Sequence, residues 1–391
     1  MSRNYLRNQN THDSTDLSQK PRALRLLSLR EVFDESLEPP KWVLEGWIPW
    51  GKVGLLGAVS DQGKTWLAMG LGVALATGQP FLGISTKPYG CGVLYITFED
   101  DEPQDIQRRI QALKATYGEH WTEREEVDLR RNLQFLTPTW NPGSSTALWD
   151  LQAEVRDAVE AMQAQGITPA LVVVDTLSHV NGEGESNVVE AQRVWQAAMG
   201  IAKHHNVTVL LVHHLRKAGT NGSEEVRLED RLHPALLRGS NAAEGAARFI
   251  WQMAWVRTDE AERIGMDPEL ARQRGITVMG MSKLKARKPS RMLLVRSIES
   301  QTSGTWSIPP EAERLLEDLL RVSSSPLKPS MEVQVLEALM AGQSRKDIEA
   351  TLFDGNNKRT SDALGRCRRK GWIGEDGKPT PKGERVAKGR A

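Results

Sequence analysis

One junction constrains this chain more than any other. The apolar run Lys52-Val-Gly-Leu-Leu leads into Ala58-Val59-Ser60-Asp61-Gln62-Gly63-Lys64-Thr65, and a helical stretch opens at Trp66. A tight loop between a strand and a helix turns successive backbone N–H groups inward, and the helix N-terminus adds the positive end of its dipole. Gly63 lets the backbone approach an anion closely, Lys64 reaches outer phosphates, and the Thr65 hydroxyl suits Mg²⁺. This is the Walker A pattern with Ala58 in place of its first glycine. It predicts ATP and Mg²⁺ as ligands, gripped by residues Ala58 to Trp66. The competing reading is a chance Gly-Lys-Thr at a strand–helix junction.

Two further segments decide between these readings. Leu171-Val-Val-Val-Asp175 lies roughly 110 residues beyond Lys64. A buried strand delivering a carboxylate at its C-terminal edge fits a Walker B strand, with Asp175 holding Mg²⁺ through a water. Alone, it could be an ordinary strand capped by an acid. The second is Val93-Leu-Tyr-Ile-Thr-Phe-Glu99-Asp100. A strand emerging next to the phosphate-loop strand and ending in Glu99 can orient an attacking water, which makes Glu99 the expected base. Asp100 or Asp101 could serve instead, or all three acids could cap the helix that begins near Pro103.

From Val53 onward, strand-like runs (53–57, 93–98, 171–175, 207–213) alternate with amphipathic helical stretches (65–76, 103–117, 147–165, 187–204). Continuous apolar strands separated by helices predict an α/β fold, a mostly parallel sheet covered on both faces. Segments 248–256, 275–283 and 291–297 extend it. Residues 1–22 read as a flexible polar tail, 23–322 as the core domain with a short lead-in, and 323–330 as a Ser/Pro linker. Residues 331–391 predict three short helices and a β-hairpin, the plan of a small winged helix-turn-helix.

A net charge of +1 excludes a global electrostatic bias, so affinity for nucleic acid must come from local patches. The two cysteines, Cys91 and Cys367, fit neither a disulfide framework nor a metal site. With no membrane-spanning run, the expectation is a soluble cytoplasmic protein.

In order, Gly63-Lys64-Thr65, Glu99-Asp100, Asp175, Leu211-Val-His-His214 and Arg238-Gly-Ser240 resemble the RepA-like hexameric replicative helicases and their relatives in the RecA-like P-loop ATPase superfamily. The resemblance covers roughly residues 40 to 300 and extends to the helix carrying Arg108 and Arg109. It implies a RecA-like core, ATP hydrolysis between subunits of a hexameric ring, and single-stranded DNA in the channel. Under it, His214 senses the γ-phosphate, while His213 points to the opposite face of a regular strand. Arg238 becomes the arginine that reaches a neighbour's nucleotide, against a local salt bridge as the plainer reading. Lys285 and Arg287 match a Lys-x-Arg pair that inserts into the adjacent site, although a solvated basic turn or a DNA-facing patch is equally compatible.

The loops after the Asp175 and His214 strands would line the channel. The second holds Arg216, Lys217, Arg227 and Arg231, and neither carries the aromatic set of a strong single-strand binder. In the C-terminal segment 358–390, eleven lysines and arginines face four acids. Lys358, Arg359, Arg366, Arg368, Arg369 and Lys370 cluster on the third helix, where a helix-turn-helix meets duplex DNA. The implied function is a DNA-associated ATPase, a ring helicase or translocase replicating a phage, plasmid or mobile element. The alternatives are an ATP-dependent oligomeric switch or DNA-binding regulator, and a recombination mediator.

Overall fold

A short hairpin, β1 (Trp42–Leu44) and β2 (Ile48–Pro49), precedes the main sheet. The sheet strands are β3 (Val53–Ala58), β4 (Gly92–Thr97), β5 (Leu133–Leu136), β6 (Pro169–Asp175), β7 (Thr208–His214), β8 (Phe249–Trp255), β9 (Ile276–Leu284), β10 (Arg291–Arg296) and β11 (Trp306–Ser307). Among the described residues their spatial order is β11-β10-β9-β8-β3-β7-β6-β4-β5. The six strands from β8 to β5 run parallel, and β9, β10 and β11 continue as antiparallel hairpins. This is the mostly parallel sheet, covered by helices on both faces, that the alternation of apolar strands and helices predicts.

The computed structural model describes residues 28–34, 40–98, 103–117, 120–138, 147–148, 150–179, 188–215, 227–233, 236, 245–273, 275–284, 290–297, 304–324 and 331–387. The chain divides into two compact units, Met1–Pro40 and Lys41–Ala391. The described part of the first is the helix Leu29–Asp34 with the residue on its N-terminal side and Pro40. The expected tail boundary at 22–23 lies outside the described residues.

Strands β3, β4 and β6 are buried at every position, as strands covered on both faces must be. Leu56, Tyr95, Val173 and Leu210 point into the layer that holds the helix Lys64–Thr77. Leu55, Leu94, Val172 and Leu211 point the other way, towards the helices Gln152–Ala164 and Val188–His205. The helix Lys64–Thr77 departs from the amphipathic expectation and is apolar on nearly every side. The helix Glu123–Asn132 contributes Leu129 to the same core, so there is no solvent face to keep polar.

Sheet order corrects one expectation. β4 does not adjoin the phosphate-loop strand; β7 and β6 stand between them. The Glu99 strand reaches the site by pairing with β6, Thr97 opposite Asp175.

Beyond the sheet, the helix Ala312–Ser324 packs Leu315 and Leu319 against Leu293, Val278 and the segment that links β8 to β9. Four helices follow: Met331–Met340, Arg345–Phe353, Asn357–Arg369 and Pro381–Ala387. The first three enclose a small core of Val335, Leu336, Ile348, Phe353, Ala363, Leu364 and Cys367, joined by Ile373. The expected hairpin is reduced to one bridge, Ile373 to Pro379, closed around the Gly377 turn. The chain then forms a fourth helix that sequence reasoning did not foresee. No described helix is long and apolar enough to cross a membrane.

Candidate functional site

The phosphate loop leaves β3 at Ala58, whose carbonyl accepts from the Leu215 N–H at 2.9 Å. Two residues in the loop, Asp61 (φ 64°) and Gly63 (φ 73°), adopt left-handed backbone. At Gly63 a side chain would meet both that strain and the Trp306 ring, 3.1 Å from an added Cβ. The buried Gln62 amide ties the loop to the end of β8. With its nitrogen towards the Met253 carbonyl (2.7 Å), its oxygen accepts from the Trp255 N–H (3.2 Å).

Lys64 is buried, and its ammonium group donates to the Val59 carbonyl at 3.3 Å. It also lies 3.2 Å from Nδ1 of His214, which is 3.4 Å from the Ser60 hydroxyl. Parallel pairing brings this about by placing Ala58 opposite His214. His213 is buried among the residues of the opposite face, as strand alternation dictates.

On the far side of β7 stands Asp175, 1% exposed. The Tyr95 hydroxyl donates to its Oδ2 at 2.7 Å, and the Phe98 N–H donates to its carbonyl at 3.0 Å. Phe98 stacks on His179, ring centroids 5.8 Å apart, so the end of β4 is pinned beside the end of β6. Glu99, Asp100 and Asp101 follow directly but lie outside the described residues. The half-buried Thr65 hydroxyl and the Asp175 carboxylate are hard oxygen donors, the chemistry Mg²⁺ prefers.

Sequence reasoning missed an aromatic wall beside the loop. The Trp306 indole N–H donates to the Gly63 carbonyl at 3.2 Å. The Arg109 guanidinium lies over the Trp66 ring, 4.9 Å from its centroid. Gly304 (φ 134°) packs so tightly on the same indole that a Cβ would come within 2.1 Å of it. A cleft of about 330 Å³ opens here, lined by Trp66, Phe81, Leu113, Tyr117, Trp306 and Ile308 among others. Nearby, burial and then the charge of Arg109 hold the Arg296 guanidinium below its usual range, while Asp61 opposes them.

Arg216, Lys217, Arg238, Lys285 and Arg287 lie outside the described residues. Arg231, expected in a channel loop, is instead largely withdrawn from solvent, its side chain 11% exposed. Both Glu260 oxygens accept from it at 2.6 Å, and the Trp255 carbonyl accepts as well. In the C-terminal helix, Lys358, Arg359, Arg368 and Arg369 are exposed, as is Lys370 just beyond it. Arg366 differs from them: it turns inward to Glu332. Lys370 rests over the Trp372 ring, 4.5 Å from its centroid.

A family model described as an AAA domain matches residues 20–220, just over half of the 391-residue chain. This chain belongs to the AAA-domain family. The matched span runs from before the phosphate loop past His214, so an ATPase domain contains the Lys64, Asp175 and His214 cluster. Solved structures similar to it include two chains titled as an ATPase domain and a replicative helicase. One, described as "ATPase Domain of G40P", is 15% identical with a TM-score of 0.45, covering 66% of this chain and 84% of that one. The other, "The Structure Of A DnaB-Like Replicative Helicase And Its Interactions With Primase", is 14% identical with a TM-score of 0.49. That match covers 71% of this chain and 66% of the other.

Proposed function

We propose that this AAA-domain chain is a DNA-associated ATPase that hydrolyses ATP between subunits of a ring, as a RepA-like helicase or translocase. The observation that carries the reading is the Lys64–His214 contact. It joins the phosphate loop to the strand that precedes the segment from Arg216, so a phosphate drawing Lys64 away also releases His214. Nucleotide occupancy then has a route to a loop assigned to DNA through Arg216 and Lys217.

In this reading the loop amides from Ala58 to Thr65 hold the triphosphate, and the base enters the cleft beside Trp66 and Trp306. Thr65 and Asp175 hold Mg²⁺, which neutralises charge on the phosphate oxygens when bound. Glu99, the residue after Phe98 in the sequence, orients water. Arg238 acts on the neighbouring subunit's nucleotide, with Lys285 and Arg287 supporting it. The C-terminal domain is a winged helix-turn-helix variant that meets duplex DNA through Lys358, Arg359, Arg368, Arg369 and Lys370. The ring is a hexamer that works in the cytoplasm on a phage, plasmid or mobile replicon.

One observation favours a second reading, an ATP-dependent switch without unwinding: the exposed cations of the helix Asn357–Arg369 suit a stationary DNA anchor. Turnover with and without single-stranded DNA, together with strand displacement on a forked duplex, separates the two. Stimulation with displacement supports the helicase, and stimulation without it supports the switch. Turnover indifferent to single-stranded DNA would contradict the helicase.

A further inference from the structure

We propose that Tyr95 is a positioning residue that fixes Asp175 for its Mg²⁺-bound water, an inference that rests on the role given to Asp175 above. Parallel pairing of β4 and β6 sets Tyr95 opposite Val173 and Thr97 opposite Asp175. Tyr95 and Val173 share one face of the sheet, and Asp175, two residues beyond Val173, continues it. Two residues of parallel strand advance about 6.6 Å, a distance that a phenol ring with its hydroxyl spans. The hydroxyl therefore arrives at Oδ2, at 2.7 Å.

Besides Thr97, Tyr95 is the one residue of β4 with a polar side-chain atom. Val93, Leu94 and Ile96 are apolar, Tyr95 is 0% exposed, and Phe135 packs against its ring at 5.7 Å between centroids. Burying a hydroxyl in such a strand costs free energy unless it meets a partner, and phenylalanine would pack there without that cost. What the hydroxyl provides is one rotamer for a carboxylate at the edge of the phosphate site. Mg²⁺ tolerates little departure from octahedral geometry, so a carboxylate that orients its water must itself be held.

The test is the affinity of a fluorescent ATP analogue for the full chain, titrated with Mg²⁺. Tyr95→Phe should raise the Mg²⁺ midpoint by about tenfold or more. Its affinity in EDTA should stay unchanged, which also reports that the chain is folded. Phe135→Leu loosens the ring but keeps the hydroxyl, and should move the midpoint the same way by less. In an Asp175→Ala background, Tyr95→Phe should add no further shift. A normal midpoint in both Tyr95→Phe and Phe135→Leu, while Asp175→Ala moves it, would overturn the role of Tyr95 alone. A normal midpoint in Asp175→Ala would overturn the assignment of Asp175 itself.

Discussion

Nδ1 of His214 lies 3.2 Å from the ammonium nitrogen of Lys64, across the β3–β7 pairing that sets Ala58 opposite His214. An ammonium group can only donate, so Nδ1 accepts its hydrogen bond, and in the proposed cycle the ring holds Lys64 until a phosphate replaces it. His214→Ala should leave ATP affinity within about threefold and lower turnover on the order of 100-fold, as loss of a positioning contact does. Equilibrium binding and steady-state turnover on one preparation check this. Equal losses in both would place His214 in simple ligand binding.

Gly54 faces Phe249 of the neighbouring strand, and a Cβ there would lie 2.2 Å from the ring. Gly54→Ala should therefore destabilise the core by about 1–3 kcal/mol, the usual cost of overpacking. A lowered urea midpoint with an unchanged slope is the expected result.

The largely buried Arg231 pairs with the fully buried Glu260, their side chains 11% and 0% exposed. Burial pulls the Arg231 guanidinium below its usual range, and Glu260 opposes that pull. Glu260→Ala leaves the cation buried and should cost roughly 3–5 kcal/mol, whereas Arg231→Met with Glu260→Leu should come close to wild type. Chemical denaturation of the three chains distinguishes a pair that is costly to break from one that is costly to replace.

In the C-terminal domain, burial raises the Glu332 carboxyl, but the bond and charge of Arg366 outweigh it and hold the group below the usual glutamate range. A carboxyl depressed on folding stabilises the fold fully above its unfolded value, and this is lost as pH falls through the folded one. Arg366 is 42% exposed, so screening limits the effect to about 1 kcal/mol. Thermal unfolding of Glu332→Gln should show that deficit at neutral pH and converge on wild type in acid.

Much of the sheet was legible because β3, β4, β6 and β7 are continuous apolar runs with helices between them. Strand β5 was not, since four residues carry little periodicity. The helix Glu123–Asn132 before it buries mainly Leu129 among its apolar residues. The signal for that helix was its capping box, Thr122 with Glu125. Within the site, Lys64, Asp175 and His214 were readable from motif chemistry, whereas Tyr95 and Trp306 were not. A tyrosine in an apolar strand reads as core until register places Asp175 at its hydroxyl. Trp306 lies over two hundred residues from Gly63, and only the β10–β11 hairpin brings them together. Arg231 shows the reverse error, a charge in a polar segment whose partner Glu260 sits in a different element.

Whether the Lys64 loop turns over nucleotide is read from Mg²⁺-dependent ATP hydrolysis in the purified wild type and in Lys64→Ala. Turnover should require Mg²⁺ in the wild type and fall to background in Lys64→Ala. A Lys64→Ala chain that hydrolyses ATP at the wild-type rate would contradict that role for the loop.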